Sequence, residues 1–252
     1  MIKSKQKLLN LILTLISIGA IFIVWGCTAI AVGKEYVLPT ISSTLKEFAR
    51  LFVGKRFYVS FAGTLLRSLI AFTCSFLLAF LCAYFAQKHE VFKSLISPII
   101  SVVRALPTIA VVLLLLFWTN EFFAPIIVTM LVVFPTVFSQ LKIGFESIDK
   151  SIKEAAMVDG ANDKLVFKYI EIPLILPTIY STMGGGFALN VKLMVAAEVL
   201  SATPRSIGGL LNSASYNSEL AYMLAIVCVS VILGVIIELI FNSLSKKASN
   251  WK

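Results

Sequence analysis

Six long apolar stretches, at residues 8–32, 58–86, 95–118, 123–143, 174–200 and 220–244, take up most of this 252-residue chain. A helix needs about 20 residues to cross the hydrocarbon core of a bilayer, and every stretch reaches that length. Lipid offers no partner to a backbone N–H or C=O, so segments of this kind satisfy their own polar groups by folding as helices. The expectation is an all-α, polytopic integral membrane protein with six transmembrane helices. Composition agrees: 14% of residues are charged and mean hydropathy is +0.95, against about a quarter charged in soluble domains.

The net charge of +9 does not mark a nucleic-acid binder, because Lys and Arg sit at the ends of apolar runs rather than in a stripe interleaved with aromatics. They read as a topology signal. With a cytoplasmic N-terminus, the inner segments would hold Lys3, Lys5, Lys7, Lys88, Lys93, Lys142, Lys150, Lys153, Lys164, Lys168, Lys246, Lys247 and Lys252. The outer ones would hold Lys34, Lys46, Arg50, Lys55, Arg56 and Arg205, a bias of about two to one that follows the positive-inside rule. Both termini are therefore expected in the cytoplasm. The first apolar run follows three lysines, as in a signal peptide, but lacks a small-x-small cleavage site and reads as a retained anchor. Gly26-Cys27 has a faint lipoprotein character that bulky Trp25 and the continuing apolar run oppose. Cys27, Cys74, Cys82 and Cys228 lie within apolar runs, form no CxxC pair, and have one His in the chain to help them, so they read as small buried hydrophobes and no metal site is expected.

Two connections carry structure of their own. Between 33 and 57, Leu45, Phe48, Leu51 and Phe52 recur at helical spacing behind Pro39 and the cap-like Ser42-Ser43, which predicts an amphipathic helix at the outer interface. Between Gly144 and Pro173 lie Glu146, Asp149, Glu154, Asp159, Asp163 and Glu171, six of the chain's 13 acidic residues. A connection this long is functional or structured. Ser151-x-x-Glu154 resembles a capping box, the stretch through Val158 favours helix, and Gly160 can end that helix with positive φ. Leu165, Val166 and Tyr169 would give a second short helix an apolar face, stopped by Pro173. The resulting division is an anchor with an outer interfacial helix over 1–56, a membrane domain over 57–244, and a cytoplasmic tail over 245–252.

Glu154-Ala155-Ala156, three residues, then Gly160, followed by Ile172-Pro173-Leu174 and Leu176-Pro177, resembles the EAA loop of binding-protein-dependent ABC importer permeases. Gly63-Thr64-Leu65-Leu66-Arg67-Ser68, Arg104-Ala105-Leu106-Pro107, and Ala197-Glu198 with Ile207-Gly208-Gly209-Leu210-Leu211 are similar to further segments of that family, in its nitrate, sulfonate and taurine branch. The resemblance covers roughly residues 57–244. It implies an inner-membrane permease subunit in which Glu154, Ala155, Ala156 and Gly160 form a cytoplasmic coupling helix seated on an ATP-binding subunit. It also implies a homodimer, two copies of that ATPase, an extracytoplasmic solute-binding protein, and no cofactor in this chain, ATP being bound by the partner.

The residues themselves agree on what the chain does not do. There is no G-x-x-x-x-G-K-[ST], no HExxH and no GxSxG; His89 falls in a short connection, and Gly184-Gly185-Gly186 sits inside an apolar run where it serves packing or bending. Charges inside spans are costly and mark candidate function. Arg67 and Arg104 both fall near mid-membrane by position, and with Asn190, Lys192 and Glu198 they form a candidate translocation path. An arginine there can also satisfy helix-end carbonyls or pair with Glu198 or Glu238. Lys192 and Glu198, six residues apart, lie on different helix faces and do not pair with each other. The cationic excess ranks a small anion first as solute, with a vitamin or pyrimidine precursor as the alternative. A secondary transporter or membrane scaffold without an ATPase is the alternative for the whole chain, although the two halves show no hydropathy match.

Overall fold

The computed structural model describes residues 2–249, which form eleven α-helices and a single π turn with no strand among them. In chain order these are α1 (Ile2–Val32), α2 (Ile41–Leu51), α3 (Lys55–Lys88), α4 (Glu90–Ala105), α5 (Thr108–Trp118) and α6 (Phe123–Glu146). After them come α7 (Lys150–Val158), α8 (Asp163–Val166), a π turn over Phe167–Glu171, α9 (Ile172–Leu200), α10 (Ile207–Tyr216) and α11 (Leu220–Ser249). Among the described residues five helices are long and apolar enough to cross a membrane, or six spans if α4 and α5 count as one broken span.

That break corrects the expected continuous helix over 95–118: α4 and α5 meet at 94°. The cause is Pro107, which has no N–H to donate and pushes the residue before it out of the helical region; Leu106 is extended, at φ −65° and ψ 128°. Prolines elsewhere are absorbed. Pro135 and Pro177 lie inside α6 and α9, and Pro173 follows directly on the π turn at the start of α9. The second short helix of the long connection is therefore not stopped at Pro173. It runs through the π turn straight into α9, and of its expected apolar face Val166 is buried while Leu165 and Tyr169 are exposed. The tail beyond 245 is helical as far as Ser249, and residues 250–252 lie outside the described residues.

Two caps differ from expectation by a few residues. Thr40, not Ser42-Ser43, caps α2, its hydroxyl accepting from the Ser43 N–H at 3.2 Å. Asp149, not Ser151, caps α7, its carboxylate accepting from the Ser151 N–H at 2.9 Å, so the expected capping box is not formed. The cysteines are corrected too: Cys27 and Cys74 are exposed and Cys82 and Cys228 half-buried. A weakly polar thiol on an apolar helix surface suits a lipid environment as well as a protein interior.

The chain divides into two compact units, one of residues up to Lys55 with Leu211–Val229, the other of Arg56–Leu210 with the chain from Ser230 onward. In the first, Trp25 of α1 donates its indole N–H to the Pro39 carbonyl at 3.1 Å. In the second, α3, α4, α6 and α9 share a core that includes Phe72, Ala79, Ala83, Ile100, Val133, Val137, Leu141, Phe145, Ile175, Phe187 and Val191. Apolar faces gain little by meeting each other in lipid, so close packing has to carry the association. Small residues make it possible: Ala71, Ala79, Ala83 and Ala86 are buried along α3. A Cβ on Gly184 would stand 2.6 Å from Phe241, and one on Gly186 3.1 Å from Phe72 and Val137, while Gly185 faces open space.

Candidate functional site

The connection from α6 to α9 presents α7 as a surface helix. It has no buried residue, and Ile152, Met157 and Val158 are exposed. Both ends are nevertheless closed. The Asp149 cap accepts from the backbone N–H and hydroxyl of Ser151, which holds its carboxyl below the usual range. At the other end Gly160 has φ +91°. The Ala161 N–H bonds the Ala156 carbonyl at 3.0 Å and the Gly160 N–H bonds that of Met157 at 3.1 Å, a Schellman ending that uses the positive φ of glycine. Ala155 is exposed and Ala156 half-buried, and exposed Glu154 makes no ion pair with any described residue.

From beneath, α7 is tied to the span helices by charge. Lys153 meets Glu171 at 2.8 Å. Glu171, 3% exposed, also accepts from the Gln87 amide of α3 at 2.8 Å. Lys88 of α3 pairs with Asp163 of α8 at 3.2 Å, and Lys93 of α4 with Glu146 of α6 at 3.2 Å. A cavity of about 510 Å³ opens among these groups. Glu171 and Gln87 are functional candidates that the sequence did not single out. A carboxylate placed directly before Ile172-Pro173, at the threshold of an apolar span, was the available signal.

The second assembly lies at the far end of α9, about 40 Å along its axis at about 1.5 Å per residue. Arg67 of α3 donates through Nε to Glu198 Oε1 at 2.8 Å; both side chains are buried, Glu198 completely. Thr64 donates to Glu198 Oε2 at 2.7 Å, and the Gly208 N–H reaches the same oxygen at 3.2 Å. The Ile207 N–H bonds Thr64 Oγ1 at 2.8 Å, Arg67 also reaches the Arg205 carbonyl at 3.3 Å, and its guanidinium lies 5.5 Å from the centre of the Phe122 ring. The turn between α9 and α10 is thereby fastened to α3 by a fully engaged carboxylate. A Cβ on Gly208 would come within 2.3 Å of Glu198 Cβ, so glycine is what lets α10 approach.

Of the five candidate path residues, the structure therefore brings Arg67 and Glu198 together. Asn190 is completely buried and donates to the Ser68 carbonyl at 2.9 Å, leaving its own amide oxygen without a partner. Arg104 is exposed beside the α4–α5 break, where it donates to the Pro135 carbonyl at 3.0 Å and to the Ser139 hydroxyl. Lys192 is exposed on α9 and, as expected, does not pair with Glu198. Among the described residues no group of His, Cys, Asp and Glu is arranged to hold a metal ion.

The model of one family, described as binding-protein-dependent transport system inner membrane component, matches residues 75–250. Taurine transport system permease protein TauC of Escherichia coli is 22% identical over 94% of this chain and 89% of its own length. A probable ABC transporter permease protein of Brucella abortus is 23% identical over 97% of this chain and 95% of its own. Riboflavin transport system permease protein RibX of Chloroflexus aurantiacus is 27% identical over 47% of this chain, a match that spans 44% of RibX. Among solved structures, a bacterial ABC transporter involved in the import of alginate superposes with TM-score 0.65 at 18% identity, over 96% of both chains. The inward-facing MetNI methionine ABC transporter does so with TM-score 0.63 at 15% identity, over 76% of this chain and 93% of that one.

Proposed function

Given that this chain belongs to the binding-protein-dependent transport system inner membrane component family, and so is a multi-pass inner-membrane ABC importer permease, we propose that it forms half of a homodimeric translocation path powered by two copies of a separate ATP-binding subunit. Permease subunits of this kind are not enzymes, the ATPase being another chain. In this reading both termini and α7 face the cytoplasm, α2 lies at the outer surface, and an extracytoplasmic binding protein delivers the solute.

The observation that carries the reading is α7 itself. A helix with closed ends, an ion pair beneath it and nothing covering its outer face is built to be covered by another protein. Glu154, Ala155, Ala156 and Gly160 are assigned to that contact: the alanines admit a close approach, exposed Glu154 supplies a charge for a cation on the partner, and Gly160 makes the exit turn. Of the path residues expected from the sequence, exposed Arg104 and Lys192 are assigned to the solute, while buried Arg67, Asn190 and Glu198 hold together the helices that frame the path. Because Arg67 is matched by Glu198, the positive charge available to a solute rests on Arg104 and Lys192. Together with the likeness to a taurine permease, this favours a small anion; the likeness to a riboflavin permease supports a vitamin as the second reading.

Tagging the C-terminus, extracting the protein in mild detergent and identifying its companions by mass spectrometry tests the assembly. A Walker-A ATPase near one-to-one is the expected result, lost in Glu154→Lys and Gly160→Trp while membrane insertion persists. Uptake at the wild-type rate in both variants would remove α7 from the mechanism. Competition of labelled taurine uptake by riboflavin separates the two solute classes.

A further inference from the structure

We propose that Glu171 is the positioning residue through which movement of α7 reaches the membrane helices, a joint whose two settings differ in which carboxylate oxygen holds Lys153. The inference rests on the assignment of α7 as the ATPase-facing helix and concerns residues outside the contact itself.

Three observations meet at this carboxylate. It is 3% exposed, yet both of its bonds fall on one oxygen: Oε1 takes Lys153 of α7 and Gln87 of α3, each at 2.8 Å. Its other oxygen is buried without a partner, and so is Oε1 of Gln87. Finally, the cavity of about 510 Å³ that these residues line also holds Lys88 and Lys150. A buried acceptor left empty is costly, and more so on a charged group. Here the empty acceptor is a second seat for the same ammonium. Lys153 can pass from Oε1 to Oε2 as α7 shifts, and the Gln87 bond keeps the carboxylate, and with it the start of α9, fixed against α3 meanwhile. The ion pair is never broken during the step, so the large penalty of an uncompensated buried charge is avoided. A discrete, two-position element of this kind is what converts a small displacement at one surface into a defined change at another.

The test uses the complete transporter in proteoliposomes with its ATPase and binding protein. Glu171→Gln, and separately Lys153→Met, are expected to keep the ATPase associated while ATP turnover stimulated by the binding protein, and uptake, fall at least tenfold. The charge exchange Lys153→Glu with Glu171→Lys is expected to restore at least a third of uptake. Uptake within twofold of wild type in either single variant overturns the joint. So does failure of the exchange to restore any uptake, which would mark the pair as structural, and so does loss of the ATPase from Lys153→Met, which would place Lys153 in the contact. A wild-type chain that captures no ATPase overturns the assignment of α7 and the joint together, and the wild-type lane reads that outcome separately.

Discussion

At the scale of single residues, the Arg67–Glu198 pair sets the largest stake. Removing one partner of a buried pair costs about 3–5 kcal/mol, because the other is left charged and unmatched, whereas removing both is far milder. Arg67→Met alone should therefore lower the thermal unfolding midpoint in detergent more than the double variant Arg67→Met with Glu198→Gln. Equal midpoints would mean that the Glu198 carboxylate left behind is matched by a proton, by water or by another cation. Glycines separate equally well. Gly208→Ala forces a Cβ onto Glu198 and Val199 and should cost about 1–3 kcal/mol, while Gly185→Ala meets no atom within 4 Å and should leave the midpoint unchanged or raise it. The individual charges in the spans were legible in the sequence, since any charge in an apolar run stands out. Their pairing was legible only as an alternative, with Glu198 or Glu238 as the partner: Arg67 and Glu198 are 131 positions apart, and nothing local decides which distant carboxylate an arginine will meet.

At the scale of elements, periodicity and punctuation gave α2 and α7 nearly whole, with Gly160 in the role its sequence position implied. The caps were misplaced because Asp149 and Ser151, like Thr40 and Ser42, are competing acceptors two residues apart, and the choice follows the path of the incoming chain. The break at Pro107 was visible as a proline but hidden by unbroken apolarity on both sides, which hydropathy cannot distinguish from a straight span. The cap of α7 yields a pH prediction. Asp149 has a depressed folded pKa, so its contribution is fully present above the unfolded value, about 3.9, and is lost as pH falls through the lower folded value. A spin label on exposed Ile152, in the first turn that Asp149 caps, should report unchanged helix order from pH 7 down to about 5 and rising mobility only below about 4. Mobility that rises already between pH 6 and 5 would assign the helix end to another titrating group.

At the scale of the whole molecule, the proposed arrangement in the membrane rests on charge placement and can be checked without a structure. Cysteine introduced at Lys150 should react with a membrane-impermeant maleimide only after the membrane is opened, and one at Lys46 in intact cells; the reverse pattern would invert the proposed topology. Within the second unit, α9 is fastened to α3 by hydrogen bonds at three levels, Glu171 with Gln87, Asn190 with Ser68, and Glu198 with Thr64 and Arg67. Apolar helix faces in lipid have almost no preference for one register over another, so these ties supply it. Sliding α9 by one turn, about 5.4 Å, would strand two carboxylates at once, at opposite ends of the helix. The pair is thereby denied piston motion and left only tilt and rotation as a single body, so a pull arriving through Glu171 swings both helices like one rigid lever, its far end about 40 Å away at about 1.5 Å per residue.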